Sequence, residues 1–226
     1  LPNVTILLAM WMRNVQNNAP VSIVLLGAGG HAKVVADICI AAGHKIAGFL
    51  DDEKPIESQW TGGPILGRLD LLDDAAFIAN HWFIPTVGDN KTRRCLAQQL
   101  MTTGAKMLTV VHPSAVVASS SSIGNGTVIM PGAVVNAAAR IGDFCIINTG
   151  STIDHDCVLE EGCQICPGAN LAGHVYCGQD VFVGTGAVII PNIKIGDRAV
   201  VGAGSVVIRD VESDMMVVGN PAKERG

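Results

Sequence analysis

Charge is scarce in this chain. Only 15% of its 226 residues are Asp, Glu, Lys or Arg, the net charge is −5, and no basic cluster occurs. That argues against nucleic acid as the main partner, since phosphate binding needs a basic patch or stripe. Long apolar runs are also missing. The apolar stretch at residues 4–12 is too short to span a bilayer, and it lacks the basic start and cleavage site of a secretory signal. Residues 1–20 read as an added tag or as the end of an upstream domain in a larger, membrane-associated polypeptide. The seven cysteines form an odd set with one CxxC, Cys163 to Cys166, and no second pair to complete a zinc quartet. We therefore expect no metal and no redox role, and a reducing cytoplasm as the compartment. Hydrophobic residues make up 49% of the chain, enough for a substantial core.

What the chain does have is a repeat. From Val111 every sixth residue is a lead: Val111, Val117, Ile123, Ile129, Val135, Ile141, Ile147, Ile153, Leu159, Ile165, Leu171, Cys177, Val183, Ile189, Ile195, Val201 and Val207. Sixteen of these seventeen are Val, Ile or Leu. A period of six fits neither an amphipathic helix nor an alternating strand. It fits a parallel β-helix in which three hexads close one coil. Residues eighteen apart then stack about 4.8 Å from one another. Leads point inward, each contributing roughly 1.5–3 kcal/mol on burial. Position five is small or short in every unit except Ile193 because it also points inward. Glycine is frequent at position two (Gly124, Gly142, Gly178, Gly184, Gly196, Gly202), where we expect corners of positive φ.

Residues 21–110 alternate between strand and helix patterns. Strands are expected at 21–26, 45–50 and 83–87, and helices from the Gly-rich turn to about 42, over 69–80 and over 90–103. This predicts a small parallel α/β domain of Rossmann-like type. Gly27-x-Gly29-x-x-Ala32 approximates a phosphate-binding turn, with Asp51-Asp52 about 24 residues beyond it. An NAD-dependent dehydrogenase is one reading. Against it, about ninety residues supply only one mononucleotide half. A purely structural turn is another reading.

The catalytic signal is Asp154-His155-Asp156-Cys157. His155 interrupts a small, apolar ladder at position three, facing outward. Histidine near neutral pKa can accept a proton, and an adjacent carboxylate can fix its tautomer. One coil later lies Gly173, whose N–H can support an oxyanion, followed by His174. The alternative is an exposed histidine with no chemistry. Cys157 and Cys163 are expected to point inward, which disfavours a cysteine acyl-enzyme. His44 and His81 are expected at the surface.

The 111–212 block resembles the hexapeptide-repeat acyltransferases. With Gly27-Ala-Gly-Gly-His31, Phe49-Leu50-Asp51-Asp52 and Val87-Gly88-Asp89-Asn90, residues 21–226 resemble their sugar O/N-acyltransferase group, including the UDP-4-amino-sugar N-acetyltransferases of bacillosamine biosynthesis. The resemblance implies that the β-helix is left-handed and that residues 213–226, with Gly219-Asn220-Pro221-Ala222-Lys223, cover coenzyme A. It implies acetyl-CoA as co-substrate, bound by Gly173, His174, Pro221 and Lys223. It implies His155 as general base with Asp156 in place of the family's Glu, and Gly173 at the thioester oxygen. Gly27, Gly29, Gly30, His31, Asp51, Asp52 and Asn90 would hold a nucleotide-linked amino sugar, to be N-acetylated on its 4-amino group. Gln164 stands where the family has a further histidine. A homotrimer is implied, with apolar Ile146, Val158 and Val188 on the prism faces. Two other readings stay open: an O-acetyltransferase acting on sialic acid or a related sugar, and a non-catalytic β-helix binding protein.

Overall fold

Four consecutive aliphatic residues of β1 (Ser22–Leu26) are fully buried, as expected of the central strand of a parallel sheet covered on both faces. The computed structural model describes residues 20–60 and 62–225; the expectations placed on residues 1–19 lie outside them. The chain divides into two compact units after Val111.

In the first unit β1 is followed by α1 (Gly30–Ala41), β2 (Lys45–Leu50), β3 (Gln59–Trp60), β4 (Gly63–Gly67), α2 (Ala75–Asn80), β5 (Trp82–Pro85), α3 (Asn90–Thr102) and β6 (Lys106–Met107). The sheet order is β3-β4-β2-β1-β5-β6, parallel except where β3 meets β4. α1 buries Ala32, Val35, Ala36, Ile38 and Cys39, spaced three and four apart on one face. The sheet's other face packs Val24, Leu26, Leu50, Leu72, Phe83 and Leu100 into one cluster. The helix expected over 69–80 is broken. A 3₁₀ turn, Leu69–Asp73, ends at Asp74, whose carboxylate accepts from the N–H groups of Ala76 and Phe77 and starts α2. His81 is not a surface residue: it is half-buried, its ring 4.6 Å from that of Phe77 and its Nδ1 2.8 Å from the Phe77 carbonyl.

In the second unit each hexad makes a two-residue strand, and strands eighteen apart pair in parallel. Val135 pairs with Ile153, Ile153 with Leu171, and Leu171 with Ile189. The ladders that run through Ile141 and Ile147 follow the same step. Leads such as Ile129, Ile147, Ile153, Ile165 and Val183 are fully buried, as are Ala133, Cys145, Cys157 and Cys163 at position five. The corner expectation is corrected. Position two is not the left-handed site; position four is, in Gly126, Gly150, Gly168 and Gly186, and in Phe144, Asp156, His174 and Asn192. Glycine occupies position two for a different reason. A Cβ at Gly142 would lie 2.8 Å from the backbone of Glu160 and Glu161 in the next coil. Of the apolar residues expected on the faces, Val188 is exposed and Val158 half-buried, but Ile146 is buried, as are its neighbours on the same face, Val128 and Met130. At the C-terminal end Met216–Val218 adds to the sheet beside Val200–Val201, and Lys223–Glu224 folds back on it antiparallel. Among the described residues no helix is long and apolar enough to cross a membrane.

Candidate active site

The corner at residues 154–156 is built by side chains bonding to nearby backbone. Asp154 Oδ1 accepts the His155 N–H at 2.7 Å and the Asn136 amide at 3.0 Å. Asn136 and Asp154 are both at position two, one coil apart. The bond from the His155 amide, then that from Asn136, holds the Asp154 carboxyl below its usual range. The next residue, Asp156, is left-handed at φ 59°. Its carboxylate turns back so that Oδ2 lies 2.9 Å from His155 Nδ1. A carboxylate only accepts, so Nδ1 carries the hydrogen and Nε2 keeps the lone pair. The bond to Asp156 raises the His155 pKa; desolvation opposes it, and the charges of Asp154 and Asp156 add to the rise. The shorter carboxylate therefore reaches.

Gly173 completes the corner. A Cβ there would lie 2.6 Å from both Cε1 and Nε2 of His155, so the imidazole packs directly over the glycine. Among the described residues its N–H has no acceptor, while its carbonyl accepts from Asn192. His174, left-handed like Asp156 one coil below, sets its ring edge-on to His155 at 5.3 Å, with Nε2 3.7 Å from Asp156 Oδ2. Beside the corner a shallow groove of about 330 Å³ runs past Asn136, Thr152, Asp154 and Asn170. All seven cysteines are free, and Cys157 and Cys163 turn inward, their thiol pKa values pushed up by burial.

In the α/β unit the strand ends form a cradle. Gly27, at φ 99°, donates its N–H to the Leu50 carbonyl. Thr86 Oγ1 donates to the carbonyls of Leu26 and Gly27 at 2.8 Å. Gly29 is the N-cap of α1 and Gly30 its first residue; a side chain at either would meet nothing within 4 Å. Asp51 accepts from the Ala28 N–H at 2.7 Å through one oxygen, and from the Glu53 and Lys54 N–H groups through the other. It ties the Gly-rich turn to the loop after β2. Asp52 accepts from Leu69 N–H at one oxygen. Asn90 accepts from Arg93 Nη2 at 2.9 Å. Among the described residues His31 Nε2 is buried with no hydrogen-bond partner, and burial, then the charge of Arg93, lowers its pKa to about 4, so the ring is neutral.

The structure thus brings together His155, Asp156, Gly173 and His174 in one unit. In the other it groups Gly27, Gly29, Gly30, His31, Asp51, Asp52 and Asn90 in the segments that follow β1, β2 and β5, neighbouring strands of the sheet. Pro221 and Lys223 lie on the exposed C-terminal segment, where Lys223 lines a cavity with Arg209 and Glu212. Several residues went unnoticed in the sequence. Arg93 is buried and donates to the carbonyls of Val87 and Gly88. Lys33 and Lys54 each set Nζ 4.8 Å from the Trp60 ring. Asn136 and Asp154 had a readable signal in their eighteen-residue spacing.

Comparison with known proteins follows this division. Residues 22–100 match the PglD N-terminal domain, and residues 174–209 match the bacterial transferase hexapeptide (six repeats). The acetyltransferase domain of PglB from Neisseria gonorrhoeae FA1090 superposes with a TM-score of 0.87 at 37% identity, over 90% of this chain and 99% of that one. The chain belongs to the hexapeptide-repeat sugar acyltransferases. The β-helix of this family member is left-handed. PerB from Caulobacter crescentus, solved with CoA and GDP-perosamine, also superposes with a TM-score of 0.87, at 38% identity over 92% of this chain and 99% of that one. UDP-N-acetylbacillosamine N-acetyltransferase of Bacillus subtilis (strain 168) is 39% identical over 110 residues, 47% of this chain. That match spans half the length of the curated relative.

Proposed function

We propose that this acyltransferase moves an acetyl group from acetyl-CoA to the 4-amino group of a nucleotide-linked amino sugar. UDP-2-acetamido-4-amino-2,4,6-trideoxyglucose, giving UDP-N,N'-diacetylbacillosamine, is the first candidate. The observation that carries this is the imidazole over Gly173, with its Nδ1–H bound to Asp156 and its Nε2 lone pair free. The neutral amine attacks the thioester carbonyl while Gly173 N–H supports the oxyanion. His155 Nε2 takes the amine proton, Asp156 stabilises the imidazolium, and the C–S bond breaks to release CoA, which leaves protonated as the thiol. Transfer is direct, without an acyl-enzyme.

The acceptor's nucleotide falls to the cradle. The open backbone at Gly29 and Gly30 suits phosphate at a helix start. The unpaired His31 Nε2 gives the sugar or phosphate a partner. Lys33 and Lys54 supply positive charge. Asp51 is occupied by backbone N–H groups, which leaves Asp52 to contact the nucleoside. His174, Pro221 and Lys223 are assigned to acetyl-CoA. The relatives differ in nucleotide, the Bacillus enzyme being named for UDP and PerB holding GDP. The working form is a homotrimer, supported by exposed Val116, Val188, Ile190 and Ile208 on the rod. Seven unpaired cysteines accord with a reducing compartment.

The test mixes the protein with acetyl-CoA and UDP-, GDP- or dTDP-linked 4-amino sugars and follows thiol release. Release with one nucleotide sugar supports the proposal and names the base. Release with free sialic acid alone would replace it with O-acetylation, and none with any acceptor would leave a binding protein.

A further inference from the structure

Two imidazoles and a carboxylate meet at the corner in a way the transfer mechanism does not require. His155 Nδ1 lies 2.9 Å from Asp156 Oδ2, and His174 Nε2 lies 3.7 Å from the same oxygen. All three ligand-type atoms fall within 4.8 Å of one another. Repeat geometry explains the convergence. Asp156 and His174 occupy the same left-handed corner position of successive coils, and His155 precedes Asp156. Zn²⁺ with ligands at roughly 2.0–2.1 Å in tetrahedral array separates them by about 3.3 Å. The two distances to Asp156 Oδ2, 2.9 and 3.7 Å, bracket that value. The side chains are 53%, 45% and 56% exposed for His155, Asp156 and His174, so small rotations close the set. Two imidazole nitrogens and one carboxylate oxygen suit Zn²⁺ and its first-row neighbours. Ca²⁺ and Mg²⁺ prefer all-oxygen sets.

We propose that His155 Nδ1, Asp156 Oδ2 and His174 Nε2 form a binding site for a Zn²⁺-class ion, and that its occupancy switches transfer off. The binding half stands on geometry alone. The switch rests on the reading of His155 as general base. A neutral imidazole has one N–H and one lone pair. Without the ion, Nδ1–H points at Asp156 and the lone pair sits on Nε2. An ion on Nδ1 takes that nitrogen's lone pair and leaves the ring's one hydrogen on Nε2. The ring then donates at Nε2 and accepts nothing. The amine proton has no destination, although Nε2 itself stays uncovered. The ion is thus an inhibitor that lowers kcat; because it also engages His174, assigned above to acetyl-CoA, it raises KM for acetyl-CoA and leaves KM for the acceptor unchanged.

The experiment uses tag-free, chelator-treated full chain. Calorimetric titration with ZnCl₂ should show one ion per chain. Co²⁺ should give the visible absorption of a tetrahedral nitrogen/oxygen site, without the sulfur charge-transfer band expected if the exposed Cys95 were the ligand. His174→Ala and His174→Asn should each weaken Zn²⁺ binding by at least about tenfold, as loss of even a supporting group around a metal does. Asn is chosen because it tolerates the left-handed backbone. Affinity unchanged in both variants, or a sulfur band, overturns the site. In wild type, Zn²⁺ should lower kcat at constant KM for the acceptor, with recovery on adding chelator. Full turnover at full occupancy overturns the switch while the binding result stands. Failure of the base reading itself shows separately, as turnover that survives His155→Ala in metal-free buffer.

Discussion

Replacing Gly173 by alanine tests the active-site geometry more sharply than removing the histidine. The new Cβ would lie 2.6 Å from His155 Cε1 and Nε2, where ordinary contact begins at 3.4 Å. The ring must retreat by the difference, 3.4 − 2.6, about 0.8 Å. The Gly173 backbone is not left-handed, so alanine fits the local chain, and the variant keeps its N–H for the oxyanion. The ring is exposed and free to swing, so the fold should be nearly untouched, with Tm within about 2–4 °C of wild type. Misplacing a reacting group by about 1 Å costs on the order of a hundredfold in rate. That corresponds to about 2.7 kcal/mol on the barrier. Thiol release from acetyl-CoA at saturating acceptor, paired with thermal unfolding, reads both quantities. Wild-type turnover would mean that the ring does not work from its place over Gly173. A large fall in Tm would mean that the alanine disturbs the coil instead of the ring.

His155→Ala should lower kcat by at least about a hundredfold in a folded protein, and Asp156→Asn by less; equal losses would give Asp156 more than an orienting role. In metal-free buffer kcat/KM should fall as pH drops through the raised His155 pKa, so the acid limb lies above the ordinary histidine value. Asp156→Asn replaces the charged acceptor that raises it with a neutral amide and should move that limb to lower pH; an unmoved limb would detach it from His155. Gly184→Ala sets a Cβ 2.6 Å from the Ala203 amide nitrogen and 2.7 Å from the Val201 carbonyl. It should cost about 1–3 kcal/mol, seen as a clear fall in Tm, and an unchanged Tm would refute the packing account of position-two glycines. Iodoacetamide should label exposed Cys95 first in the folded protein, and Cys157→Ala should keep near wild-type turnover, since its thiol is buried against the Ala172 carbonyl. Loss of turnover there would revive an acyl-enzyme.

What could be read in advance follows how often the chain states a constraint. The β-helix was legible because one burial demand recurs in every hexad, so Ile153 or Val183 is one of many witnesses. The strand at Gln59–Trp60 is stated once, in two residues, and passes unseen. Glycine carries an ambiguity that counting does not resolve. At position two it answers a close backbone approach, as at Gly142, and at position four a positive φ, as at Gly150. Both appear in sequence as a favoured glycine at a corner. The same ambiguity hid the reach of Asp156. Chain length alone leaves open whether its carboxylate, one methylene shorter than a glutamate's, contacts the histidine. Judged by its left-handed φ of 59°, it is turned back onto His155 Nδ1. The coil's corner conformation, not the residue type alone, sets the distance between the two groups. The same conformation one coil on brings His174 to that carboxylate, so the spacing of the repeat joins residues whose chemistry no local motif would have paired.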